Sequence, residues 1–234
     1  MSTVQRTTVL NKIRSRGYWR VEIRPTEFQA DRIPQNEDLF RIVEKNSVRL
    51  RGWDYPHIDY ARPPLRGNDW VGQEFDRDDK IEVWRIYRSG LFTHYFTIHG
   101  DWRDHSRHWP PESGSGWEWG RELNYLSTIY SFVEIFEFAS RLALSLAGAG
   151  QMSVEIDMNG LANRRVISTD DDIAMFEDHT TQASEWKYLW EGSQTDLIAW
   201  PRDLAALAAQ DFFKRFGLNL STRVLLILQE RMAR

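Results

Sequence analysis

Residues 80–100, KIEVWRIYRSGLFTHYFTIHG, constrain this chain more than any other stretch. Two runs rich in β-branched and aromatic residues flank Ser89-Gly90, and a glycine-containing pair in that position specifies a tight reversal. A hairpin commits its strands to antiparallel pairing. A doubly wound parallel sheet, which needs a helix between successive strands, is therefore disfavoured.

The rest of the chain can be read around that hairpin. YWRVEIR (18–24) puts Trp19, Val21 and Ile23 on one side and Arg20, Glu22 and Arg24 on the other, the period of a half-buried strand, and Pro25 ends it. Asn36 caps a helix over NEDLFRIVEKNS, whose apolar stripe is Leu39, Phe40, Ile42 and Val43. SVRLRGW (47–53) alternates again and predicts a short strand. A long helix is expected over 122–148, stopped by Gly148 and Gly150. MSVEIDMNGLANRRVIS (152–168) predicts a second hairpin around Asn159-Gly160. A strand near 185–190, another before Trp200, a helix from Pro201 to about 216 and a last helix capped by Ser221 complete the order. The expectation is one α+β domain over 1–234: mainly antiparallel sheet from sequential hairpins, packed on a long central helix and C-terminal helices. If it has two lobes, they divide near 148–151.

Composition narrows the function classes. There is no cysteine, which excludes disulfides, thiolate metal sites and a cysteine nucleophile. No apolar run reaches the roughly 18 residues of a membrane span, and the first 20 residues lack the apolar core of a signal peptide. A cytoplasmic protein that needs no cofactor is expected. The net charge of −4 opposes whole-surface attraction to nucleic acid, although the first 24 residues are strongly basic and acid gathers at 74–79 and 169–172. Neither nucleotide-binding glycine fingerprint is present, and no serine stands in a nucleophile elbow.

Three constellations could carry chemistry. Arg20 and Arg24, joined by Arg49, Arg51, Arg62 and Arg66 if strands 18–24 and 48–53 are neighbours, would form an arginine face for phosphate, with aromatic rings to stack bases. His99 and Asp101, with His105 and His108, are candidate metal ligands of the right chemistry but match no fixed spacing. A metal-dependent nuclease would set the 74–79 carboxylates beside Glu82, yet Trp84 stands where a lysine is expected. On the long helix Glu134 and Glu137 lie three apart, and Glu137 is placed for an ion pair with Arg141. The loop LRGWDYPHIDYARPPLRG (50–67) is stiffened by three prolines. Trp53 and Tyr55 are expected to anchor it, leaving Arg62 and Arg66 to face outward, and both rings count with the six arginines as candidate nucleic-acid- or partner-binding residues.

GYWRVEIRPT (17–26) and SVRLRGWDYPHI (47–58) together resemble an uncharacterised bacterial α+β domain associated with DNA-binding and defence proteins of the Schlafen-type AlbA class. The resemblance implies a prokaryotic intracellular protein in an antiviral or regulatory setting and transfers no catalytic residues. The expected function is a non-catalytic binding or accessory protein whose partner is a protein encoded nearby or a nucleic acid. A DNA- or RNA-binding regulator and a metal-dependent nuclease are the alternatives.

Overall fold

The structure is a computed structural model that describes residues 8–77, 79–102, 120–168 and 178–231. In chain order its elements are α1 (Val9–Arg14), β1 (Tyr18–Pro25), α2 (Asn36–Asn46), β2 (Val48–Arg49), β3 (Asp54–Tyr55), β4 (Leu65–Arg66), β5 (Trp70–Arg77), β6 (Lys80–Tyr87) and β7 (Phe92–Thr97). There follow a 3₁₀ turn at His99–Asp101, β8 (Glu122–Asn124), α3 (Tyr125–Ala143), β9 (Gln151–Asn159), β10 (Arg165–Ile167), β11 (Glu185–Ser193), α4 (Gln194–Ala199), α5 (Pro201–Lys214) and α6 (Thr222–Glu230). The fold is α+β.

Seven strands make one antiparallel sheet in the order β11-β9-β1-β7-β6-β5-β4. The 80–100 hairpin forms as read, with Gly90 at φ 87° in its turn. β1 is the keystone: it pairs with β7 on one side and β9 on the other, so the sheet runs without interruption past 148–151. Its alternation divides the faces as expected, with Trp19, Val21 and Ile23 buried. On that inner face Phe132 of α3 meets Trp19 at 5.0 Å and Trp186 at 5.5 Å, and Phe212 of α5 closes on Trp186 at 5.1 Å. Phe40 of α2 stacks on Trp84 of β6. Rings of this size supply much of the apolar burial that holds such a domain.

Several local expectations are corrected. The 47–53 strand is only two residues long and pairs with β3, not with β1. Residues 122–124 are a strand, parallel to β10, before Asn124 caps α3 by accepting the Ser127 N–H at 2.8 Å. The 152–168 hairpin does not form. β9 pairs with β1 and β11, while the chain beyond Gly160 (φ 72°) turns away so that Leu161 and Arg164 are buried. The strand expected before Trp200 is helix α4, because the Ser193 hydroxyl caps it by accepting the Asp196 N–H at 3.0 Å. Glu137 pairs with Arg202 at 3.1 Å, and Arg141 instead donates to the Ser47 carbonyl at 2.9 Å. In the sequence, β5 is masked by its acidic residues. The basic arm holds a helix, α1, whose Ile13 packs on Ile81 and Val83 across the outer face.

Candidate functional site

The loop between β2 and β5 lies against the inner face of β5, β6 and β7 and divides into two halves. Its first half is bolted to Glu82. The side chain of Glu82 points inward because its strand neighbours Val83 and Ile81 face α1. It accepts the Trp53 indole N–H at 3.3 Å and the His57 backbone N–H at 3.2 Å, and lies 2.8 Å from His94 Nε2. Burial pushes the Glu82 carboxyl up, but the bonds from His94, His57 and Trp53 outweigh it and hold the group below its ordinary range. An ionised Glu82 accepts, so His94 donates from Nε2.

Aromatic packing closes over this carboxylate. Trp53 stacks on His57 at 3.9 Å, and Lys80 Nζ sits 3.5 Å above the Trp53 ring. Burial lowers both His57 and Lys80, although neighbouring carboxylates oppose the shift. Tyr55 is buried edge-on to His94, Phe96 and Phe138. Its hydroxyl is pushed well above its ordinary value by burial and by the Glu134 and Glu82 charges. Arg51 continues the clamp onto α3, its guanidinium forking onto Glu134 and reaching Ser127 and Ser131. With its carboxylate saturated by donors, this half holds the loop in place.

The second half, residues 59–66, is an exposed arch on a fixed base. The Gln73 carboxamide grips that base: it accepts the Asp59 N–H at 3.0 Å and donates to the Asp59 carbonyl at 2.9 Å and the Arg62 carbonyl at 3.2 Å. Pro63 and Pro64 stiffen the crown, and β4 pins the far leg to β5. What the arch presents is Tyr60, 74 % exposed, Leu65, 45 % exposed, and the exposed side chains of Arg62 and Arg66.

The residues singled out from sequence are dispersed. Arg20 lies on the outer face among Glu22, Glu155 at 2.8 Å and Asp157 at 2.6 Å. Those carboxylates raise its already high pKa against the effect of burial. Arg24, on the same strand, reaches the Pro25 carbonyl. Arg49 pairs with Asp54 at 2.7 Å, Arg51 with Glu134, and Arg62 stands 3.6 Å from Asp59. Because β1 and β2 are not neighbours, no continuous arginine face forms across them, and the loop arginines separate from Arg20 and Arg24. Trp53 and Tyr55 occupy the anchoring half.

The buried Asp101 carboxylate is taken up by the Arg164 guanidinium and by the Gly17 and Gly120 N–H groups, and His99 Nδ1 meets the Asp79 carbonyl at 3.1 Å. His105 and His108 lie outside the described residues. Among the described residues, no three histidine or acidic side chains group as a metal site. The nuclease arrangement also separates: Glu74 and Asp76 register with Val83 and Ile81 on the outer face, opposite in direction to Glu82.

Sequence reasoning misses Tyr60, Leu65, Gln73 and Lys80 as working residues, and it misses the pairing of Glu82 with His94. Tyr60 and Leu65 carry a legible signal, large side chains flanking a Pro-Pro pair. Gln73 carries none.

Compared with known proteins, the chain matches no family model, no curated protein and no solved structure.

Proposed function

We propose that this chain is a non-catalytic binding protein that engages a protein partner through the 59–66 arch. One observation carries the proposal: a rigid base held by Gln73 and the Glu82 bolt presents Tyr60, Arg62, Leu65 and Arg66 to solvent. Tyrosine and arginine dominate binding energy at protein interfaces, and a preformed loop avoids much of the ordering cost. Two guanidinium groups beside a tyrosine and a leucine suit a partner surface that is acidic around an apolar centre. The resemblance to the AlbA-associated bacterial domain favours a prokaryotic cytoplasmic setting, in defence or regulation, with the partner encoded nearby.

A nucleic-acid regulator is the weaker proposal, since Arg20, Arg49 and Arg51 are already neutralised by carboxylates. The test compares capture by wild type, by Arg62→Glu/Arg66→Glu and by Tyr60→Ala, each with nuclease treatment. A protein held by wild type and lost by both variants, with unchanged folding, supports the proposal. Retention by both variants, or release by nuclease, overturns it.

A further inference from the structure

The opposite edge of the sheet carries a second surface. β11 presents nine residues, about 30 Å of strand, and among the described residues its outer edge pairs with no strand. Natural edges of this length are usually shortened, bulged or broken by proline. This one is regular: every residue from Glu185 to Ser193 is in register with β9. Leu189, at its centre, is 56 % exposed.

The sequence of the edge is complementary to its own reverse. When two copies are laid antiparallel about Leu189, Lys187 falls opposite Glu191 twice, Tyr188 opposite Trp190 twice, and Leu189 opposite Leu189. Trp186, Tyr188 and Trp190 share the helix-covered face, with Trp186 buried and the other two only half-buried. Lys187, Leu189 and Glu191 share the outer face, where Lys187 and Glu191 are exposed. Opposite-charge and aromatic cross-strand pairs are the stabilising units of an antiparallel ladder. Slipping the register by two residues brings Glu185 opposite Glu191 in one direction and leaves Lys187 opposite Ser193 in the other. Within the chain Lys187 lies 3.6 Å from Glu185, an exposed pair that leaves Glu191 without a cation on the strand, and only the register centred on Leu189 sets both Lys187 and Glu191 opposite a charge of the other sign.

We propose that two copies of this chain associate through β11 as a two-fold symmetric dimer whose sheet is continuous across the pair. The partner-binding arches, beside β4 at the other end of the sheet, then stand at the far ends of the assembly. The proposal is independent of what those arches bind.

The experiment is sedimentation velocity over a range of concentrations. Wild type shows a reversible monomer–dimer equilibrium. Lys187→Glu and Glu191→Lys each set like charges together at two places and weaken association at least about tenfold. An equimolar mixture of the two variants restores it, because both charge positions of the mixed dimer then join an acid on one chain to a lysine on the other. The combined variant Lys187→Glu/Glu191→Lys likewise recovers wild-type association, and Arg62→Glu/Arg66→Glu dimerises as wild type. A wild type that stays monomeric at its highest soluble concentration overturns the proposal, and so does a mixture that associates no better than its components.

Discussion

Replacing Arg164 by leucine should cost this protein more stability than almost any other single change. Arg164 and Asp101 are both fully buried, 0 % and 1 % exposed. The guanidinium donates to Asp101 from Nη1 at 2.8 Å and Nη2 at 2.5 Å, to the Gly160 carbonyl at 2.6 Å and to the Glu122 carbonyl at 3.0 Å. Asp101 also accepts the backbone N–H groups of Gly17 and Gly120, each at 2.9 Å. One ion pair thus ties the entry to β1, the entry to β8 and the exit from β9. Arg164→Leu would leave Asp101 buried with two neutral donors and strip a donor from two carbonyls. Leaving a buried charge uncompensated costs about 3–5 kcal/mol, a large part of the roughly 5–15 kcal/mol that a domain has. With a urea slope of about 2–3 kcal/mol/M for a chain of this size, the unfolding midpoint should fall by about 1–2.5 M. Asp101→Asn in the same chain removes the stranded charge and should recover part of the loss. A midpoint shift equivalent to less than about 1 kcal/mol, or a double variant as unstable as the two singles added, would refute the reasoning.

Three further outcomes are expected. Glu82→Leu strands the Trp53 indole, the His57 amide and His94 Nε2, and should lower stability by about 1–3 kcal/mol in thermal or urea melts, with loss of the Trp53 fluorescence environment. Arg20→Met leaves Glu22, Glu155 and Asp157 facing one another, so the variant should be least stable at low salt and regain stability as salt screens the repulsion; a salt-independent melt would contradict this. Acid should destabilise in two stages. Burial keeps folded His57 and His99 below the ordinary 6.5, so stability is complete above that pH and falls as protons bind the unfolded chain below it. Glu82, held below its ordinary 4.5, adds a second loss at lower pH. His57→Gln/His99→Gln should flatten the first stage in pH-dependent urea titrations and leave the second.

What the sequence discloses follows physical locality. The 80–100 hairpin and β1 are legible because period-two alternation directly reports which side chains are buried. The caps at Asn124, Ser193 and Ser221 depend on a few neighbouring residues, yet Ser193 escapes notice because TDLIA is too short to show a helical period. The false hairpin at Asn159-Gly160 shows the limit of turn signals: Gly160 does take a positive φ, but Arg164 is drawn to Asp101, 63 residues away in sequence. Nothing local reports that pull. The arginine face fails for the same reason, since adjacency of strands 18–24 and 48–53 depends on sheet order, which alternation does not encode. The division of the 50–67 loop is readable in outline, from stiff prolines and large rings, whereas the Glu82 bolt and the Gln73 grip arise from a buried acid and a buried amide that look exposed in sequence.

Amide hydrogen exchange of the wild-type chain, with and without the protein it captures, tests the partner-binding account most directly. Pro63 and Pro64 have no amide hydrogen, so the arch is read at Tyr60, Ala61, Arg62, Leu65 and Arg66; these amides should exchange more slowly once the partner is added, while 53–57, already pinned to Glu82, change little. Protection on the outer face around Arg20, or none across 59–66, would contradict it.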